Sequence, residues 1–366
     1  MGKRTKDLVK LTPEQEAKIA GLVYLTPDVP GFIRKKSGKS FRYYTAKGKA
    51  VTDPKAKARF KALVIPPAWE SVWISPNPRS HIQVTGVDQK GRKQYRYHSE
   101  WRSQRDGSKF EKLSHFGKLL PTIREGIQSN LKSKALSKDQ VVATVVHLLE
   151  NTLIRIGNES YVKQNKSYGL TTIRDQHVEV DRSTIYFEFK GKSGVQHKVS
   201  LRDPRIAKIV AKCQDLPGQL LFQYLDEEGS PRPVYSSDVN QFLGQITGSA
   251  FTAKDFRTWC ASVLAAKVLR EFEPPTSQTG GKRNVKAAIT EVAKALRNTV
   301  SVCRKCYVHP KIIEAYLDGL LHADCAKKYQ RLMKSHIATG LGEDEAFLLA
   351  LLEGCDVKSK DKRLAA

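Results

Sequence analysis

The chain has 366 residues, 40% hydrophobic and 27% charged, which is enough for two domains with packed cores and argues against wholesale disorder. No stretch approaches the ~20 consecutive apolar residues of a membrane helix. The N-terminus lacks the apolar run of a secretory signal, and six cysteines are too few for a disulfide scaffold, so a reducing, cytoplasmic setting is expected. Lys and Arg number 63 against 37 Asp and Glu, a net charge of +26 that points to a polyanionic partner, nucleic acid being the commonest. The charge is uneven: residues 1–110 hold 24 Lys and Arg against 9 Asp and Glu.

Residues 1–20 read as a polar, partly helical leader. From Gly31, GFIRKKSGKSFRYY reads as two strands around Ser37-Gly38-Lys39. A helix opens after Asp53-Pro54 and is stopped by Ile65-Pro66-Pro67. SVWIS, HIQVTGV and RKQYRYH then alternate as strands do, with Asp88–Gly91 as a hairpin turn. Polar residues 99–108, with an Asp106-Gly107 turn signal, are the candidate linker.

Beyond the linker the period becomes helical. Ser137, with Gln140 three residues on, opens a helix expected to run through VVATVVHLLENTLIRIG to Gly157. Residues 169–200 revert to strands (GLTTI, VEV, TIYFEF, HKVSL) with a turn at Gly191–Gly194. From Asp203 to about Leu352 helices dominate, with loops expected at 226–234 and 274–282. The tail after Cys355 reads as mobile. The pattern predicts an α+β protein: a small, mostly antiparallel β domain (1–104) and a larger, mainly helical domain with a small β-sheet (105–366).

Cys303-x2-Cys306 and His322-x2-Cys325 have zinc-like spacing. No glycine knuckle flanks the pairs, however, and KIIEAYLDGLL between them reads as an amphipathic helix, so no metal is expected. No GxxxxGK[ST] loop occurs, so nucleotide hydrolysis is not supported. Phosphodiester chemistry without an acidic metal-binding cluster needs Arg and Lys to supply positive charge, an attacking oxygen and a proton donor for the leaving alcohol. Arginine suits the first task because its guanidinium grips phosphate bidentately.

Six segments in order carry such a set: VIPPAW (64–69), GRKQYRYH (91–98), LIRIG (153–157) followed by Tyr161 and Gly169-Leu170, FKGKSG (189–194), KDFRTW (254–259) and LRNTVSVCRKCY (296–307). Together they resemble the small type IB DNA topoisomerases, poxvirus-like and bacterial, over most of residues 20–320. The resemblance implies that Tyr307 is the nucleophile, forming a 3′-phosphotyrosyl intermediate. It implies that Arg155 and Arg257 hold the scissile phosphate and that Lys192 protonates the departing 5′-oxygen. Asn298 stands where viral and eukaryotic members carry histidine; it can donate a hydrogen bond but cannot move a proton.

Gln94, Tyr95, Tyr97, Tyr161 and Lys254 match DNA-contacting positions of the family. By strand alternation Tyr95 and Tyr97 share one face, which serves either DNA or a core. The chain departs from the viral pattern at Asn158, where those enzymes carry lysine, and at Val300, where many have proline, so a viral cleavage preference is not implied. The implied activity is relaxation of positive and negative supercoils without ATP, metal or other cofactor. The implied partner is duplex DNA, clamped by a monomer, and the implied location is the nucleoid. The alternatives are a tyrosine recombinase, though Lys254 stands where recombinases have histidine, and a non-catalytic basic DNA-binding protein.

Overall fold

The alternating runs of the first hundred residues form a five-stranded antiparallel sheet in the computed structural model, which describes residues 12–38, 40–89, 91–133, 135–323 and 339–354. The strands are β1 (Phe32–Ser37), β2 (Ser40–Tyr44), β3 (Glu70–Ile74), β4 (Ile82–Val87) and β5 (Lys93–Tyr97), in the order β2-β1-β3-β4-β5. A short helix α1 (Pro13–Ile19) precedes them, with Thr12 and Gln15 forming its capping box. Helix α2 (Pro54–Ala62), capped by Asp53, buries Phe60 with Val51, Val72, Ile74 and Val84 as the core of this unit. The buried Arg34 fork donates to the carbonyls of Ile65 (3.1 Å), Pro66 (2.9 Å) and Trp69 (2.7 Å). That contact fixes the VIPPAW segment, whose prolines leave it without a ladder of its own.

The chain forms two compact units, Met1–Lys109 and Phe110–Ala366. The expected linker is instead helical, the first part of the 33-residue α3 (Ser99–Leu131), and the boundary between the units falls inside that helix. A glycine inside a helix costs only about 1 kcal/mol, so Gly107 does not end it.

The second unit is built round α4 (Lys138–Thr152), apolar on nearly every side and buried accordingly. Around it lie α5 (Glu159–Asn165), a meander of β6 (Val178–Asp181), β7 (Thr184–Lys190) and β8 (Gln196–Arg202), and α6 (Pro204–Gln214). After α6 come the two-stranded β9 (Gln223–Leu225) and β10 (Pro231–Pro233), α7 (Ser236–Thr247) and α8 (Ala253–Arg270). Next are α9 (Gln278–Leu296), α10 (Val300–Cys306), α11 (Pro310–Leu317), α12 (Leu320–Ala323) and a last described helix, Glu343–Gly354. Arg124 of α3 bridges Glu150 of α4 (2.8 Å) and Glu345 of the last helix (2.8 and 2.9 Å), tying these elements through half-buried charge.

The fold is α+β, as the patterning predicts, with local corrections. GLTTI is a 3₁₀ turn (Leu170–Thr172) rather than a strand, because its amides bond back to the segment after α4. The expected loop at 226–234 is the turn and second strand of a β-hairpin. The loop at 274–282 ends early, since Ser277 caps α9 through the Gly280 amide. KIIEAYLDGLL is broken at Gly319, whose φ of +71° ends the helix. Residues 1–11 of the leader and the tail after Cys355 lie outside the described residues. Among the described residues, no helix is long and apolar enough to cross a membrane.

Candidate active site

Helix α4 stops a turn earlier than its pattern predicts. Leu153 adopts the left-handed conformation (φ +56°), and LIRIG leaves the helix without regular secondary structure, Gly157 at φ +101°. That backbone is pinned to the 3₁₀ turn: the Arg155 carbonyl accepts from Leu170 N (2.9 Å), and the Ile156 carbonyl from Thr171 N (2.7 Å) and Oγ1 (2.9 Å). A Cβ on Gly169 would lie 2.5 Å from Arg155 O and from Gly157 N, so glycine is what lets the two strands of backbone meet. Arg155 is thus held half-buried on a braced segment rather than on a helix.

Arg257 lies near the start of α8, whose Thr252 cap is closed by Asp255. It is 3% exposed. Its Nη1 donates to the carbonyl of Leu153, and its Nη2 to that of Leu296 (2.8 Å). The guanidinium stands over the Tyr307 ring, 5.5 Å from the centroid. Burial first, then the charge of Arg155, pulls the Arg257 pKa down, and the Tyr307 phenol opposes them. Both arginines and the tyrosine therefore share one electrostatic environment.

Tyr307 ends α10. Its N–H donates to Cys303 O (3.0 Å), and its carbonyl accepts from Ser262 Oγ (3.2 Å), a buried hydroxyl of α8 that also accepts from His309 N (3.1 Å). Asn298 sits in the joint between α9 and α10. Its N–H donates to Ala293 O (2.9 Å) and its Oδ1 accepts from Thr299 N (3.1 Å), while Thr299 caps α10. Lys192 lies at the exposed tip of the β7–β8 hairpin, a turn that includes Ser193 at φ +63° and Gly194 at φ +78°.

Residues 98–334 match the family model described as the eukaryotic DNA topoisomerase I catalytic core, and residues 40–88 that of the bacterial DNA topoisomerase IB N-terminal domain. The DNA topoisomerase 1B of Acanthamoeba polyphaga mimivirus is 34% identical over 294 residues, covering 78% of this chain and 87% of that protein. The chain belongs to the type IB DNA topoisomerases.

More distant relatives cover less. DNA topoisomerase 1B of vaccinia virus (strain Copenhagen) is 25% identical over 254 residues, 68% of this chain and 76% of the relative. DNA topoisomerase 1 of Mycosarcoma maydis is 29% identical over 193 residues, 48% of this chain and 19% of the relative. This chain is therefore a type I topoisomerase rather than a recombinase or a passive DNA-binding protein.

Of the residues singled out for a type IB site, Arg155, Arg257 and Tyr307 come together. Lys192 is exposed at its hairpin tip, and Asn298 turns its carbonyl oxygen to the backbone of Thr299. Tyr161 and Lys254 are exposed, Tyr161 on α5 and Lys254 in the first turn of α8. On the edge strand β5, Tyr95 (43% exposed) and Tyr97 (38%) stack on each other at 6.1 Å and do not form a core. Gln94 donates to Asp88 Oδ2 (2.9 Å), sharing that carboxylate with Arg92. Cys303 and Cys306 are one turn apart on α10, Cys303 buried. Cys325 and the His322 side chain lie outside the described residues, among which no metal-holding cluster occurs.

Sequence reading missed three residues here. Ser262 anchors the Tyr307 backbone. Arg297 and His197 join the end of α9 to the root of the Lys192 hairpin, and burial, then Arg297, Arg155 and Arg257, pushes His197 down to about 4. Only strand alternation, which turns His197, Val199 and Leu201 inward, hints at the histidine.

Proposed function

We propose that the chain relaxes supercoiled duplex DNA by reversible transesterification at Tyr307. The phenolic oxygen attacks the scissile phosphorus, the P–O5′ bond breaks, and the DNA 3′ end is held as a phosphotyrosine. Arg155 and Arg257 neutralise the non-bridging oxygens, where charge develops in the transition state. Lys192 gives a proton to the departing 5′-oxygen. Asn298, its Oδ1 already bound to Thr299 N, offers its amide Nδ2 to a phosphate oxygen. The 5′-hydroxyl then rotates and attacks back, restoring the original bond and releasing Tyr307.

One phosphodiester is exchanged for another of similar energy, so the cycle needs no ATP. The two arginines carry the electrostatic load that a metal ion bears in other phosphoryl-transfer sites. A monomer engages duplex DNA with both units, Tyr95, Tyr97 and Gln94 contributing from β5 and Tyr161 and Lys254 from the second unit.

The observation that carries this reading is the placement of Arg257 over Tyr307 with Arg155 as its charged neighbour. Plasmids supercoiled in either sense, incubated with the protein in EDTA and without nucleotide, are expected to relax. Tyr307→Phe is expected to bind DNA but neither relax it nor form a covalent adduct. A strict magnesium requirement, or relaxation by the Phe variant, overturns the reading.

A further inference from the structure

The hairpin tip that carries Lys192 is closed by Gly191 N to Val195 O (2.8 Å) and Gly194 N to Gly191 O (3.1 Å), bonds internal to the turn. They shape the tip without aiming it. Aim has to come from the root of the hairpin, where β7 and β8 meet the rest of the unit. There Phe189 and His197 are cross-strand partners, and their rings stack at 4.8 Å and 15°. His197 is 3% exposed. A Cβ on Gly191 would lie 2.6 Å from His197 Cδ2 and Nε2, so the backbone next to Lys192 rests against the edge of the imidazole. The imidazole is in turn met by Arg297, whose Nη1 is 3.4 Å from Nδ1 and whose Nη2 donates to Lys198 O (2.6 Å).

Arg297 is the residue before Asn298. It ends α9 in the left-handed conformation (φ +47°), which costs a non-glycine residue energy and sends its side chain off the helix end. Cationic Arg297 needs an acceptor at His197 Nδ1, and the low pKa of the buried ring keeps it neutral and able to accept.

We propose that Arg297 and His197 form a latch that positions Lys192, fixing the root of the β7–β8 hairpin to the helix end that carries Asn298. Arg297 and His197 are positioning residues: the guanidinium holds the ring and the β8 backbone, the ring supports Gly191, and Gly191 sets the direction in which Lys192 leaves the sheet. The inference rests on the reading of Lys192 as the proton donor, and the test separates the two.

The test is single-turnover cleavage of a duplex oligonucleotide with one mapped cleavage site, made with either oxygen or sulfur at the bridging 5′ position. A thiolate leaves without a proton, so sulfur removes the need for an acid and for anything that positions it. Arg297→Ala and His197→Gln are expected to cleave the oxygen substrate ~10–100-fold more slowly, a part of the 10²–10⁴ that general-acid assistance supplies. On sulfur both are expected to return to within a few-fold of the parent chain. Arg297→Lys, which can reach one of the two acceptors, is expected to fall between. The double variant Lys192→Ala/Arg297→Ala is expected to be no slower than Lys192→Ala alone.

Rescue of Lys192→Ala but not of Arg297→Ala by sulfur overturns the latch, as do additive losses in the double variant. Absence of rescue for Lys192→Ala itself overturns the proton-donor reading instead. In that case non-additivity of the pair still decides whether Arg297 acts through Lys192. Circular dichroism melting of each variant shows that it is folded, and a defect that disappears on sulfur is not one of folding.

Discussion

Arg257 touches the Tyr307 ring and, with the same guanidinium, holds the carbonyls of Leu153 and Leu296. Leu153 lies two residues before Arg155, and Leu296 two before Asn298. One buried side chain therefore braces the segments that carry the other proposed phosphate ligands. Removing it should damage structure as well as chemistry. Arg257→Ala takes the donor from the buried Leu296 carbonyl, at a cost of about 1–3 kcal/mol, and from the half-buried Leu153 carbonyl, at a smaller one. The melting temperature is expected to fall by several degrees and relaxation to be lost. Arg257→Lys, able to serve one carbonyl, should melt between the two. An Arg257→Ala variant with unchanged melting and relaxation refutes the bracing role.

Ser262 offers a cleaner test of how Tyr307 is held, because its hydroxyl bonds to the backbone on either side of Val308, at Tyr307 O and His309 N. Ser262→Ala removes a donor to Tyr307 O and an acceptor from His309 N without changing any charge. Misplacement by a fraction of an ångström is costly where reacting atoms must be aligned. Single-turnover cleavage is expected to slow by ~10-fold or more while DNA affinity stays the same. Equal rates for the two proteins count against an anchoring role for this hydroxyl.

Signals that act within a few residues are legible in a sequence, and contacts between distant segments are not. The β1–β2 and β4–β5 hairpins, and the caps at Asp53 and Ser137, were legible because alternation and turn chemistry act within a few residues. The end of α4 was not. Leu153 carries no stop signal, and the next glycine is Gly157; the helix ends early because residues 154–157 pair with 169–172. Residues 99–108 lack an apolar face of their own, so composition reads as linker what continuity with α3 makes helical. Arg155, Arg257 and Tyr307 were singled out through their motifs, since no periodicity marks one arginine among many. The Arg297–His197 contact spans 100 residues, and no local signal announces it.

Gly169 gives a steric prediction. Its backbone is extended (φ −156°), so alanine meets no conformational penalty, only the collision with Arg155 O and Gly157 N. Neither neighbour is a flexible side-chain end, so the two segments must separate. Gly169→Ala is expected to destabilise by about 1–3 kcal/mol, as overpacking does. It should also slow cleavage by shifting Arg155. A variant that melts and cleaves as the parent chain does shows that the segments separate without consequence.

The buried His197 makes a prediction about acid. An unfolded histidine titrates near 6.5, whereas folded His197 is held at about 4 by burial and by Arg297, Arg155 and Arg257. Between these values the unfolded chain binds a proton that the folded chain refuses. The contribution of His197 to stability therefore falls as pH drops through 6.5 towards 4 and changes no further below. His147 and His177 are pulled down as well, by burial first, and act in the same direction. His197→Gln removes one of the three contributions, so its melting temperature should decline less steeply with acid than that of the parent chain. Identical slopes would mean that His197 is not buried neutral.

The edge strand of the first unit separates contact from charge. Tyr95 and Tyr97 are exposed and stacked, with Lys93 Nζ 5.8 Å from the Tyr95 ring, while Arg96 faces the other way on the strand. Exposed side chains contribute little to folding, so Tyr95→Ser and Tyr97→Ser should melt within a degree or two of the parent chain. If the pair rests on DNA, each loss weakens binding at every salt concentration by a similar factor. Lysine and arginine act differently. Each phosphate contact adds ~0.9 to the slope of log affinity against log salt, and 6–10 contacts give a fall of ~10³–10⁵ between 50 and 200 mM. Lys93→Ala should therefore flatten the salt dependence, which the tyrosine variants and Arg96→Ala, on the opposite face, leave unchanged. Fluorescence anisotropy with a labelled duplex across that range distinguishes the two. Tyrosine variants that bind with undiminished affinity at all salts would remove β5 from the DNA interface, and a Lys93→Ala variant that keeps the parent slope would show that this cation meets no phosphate.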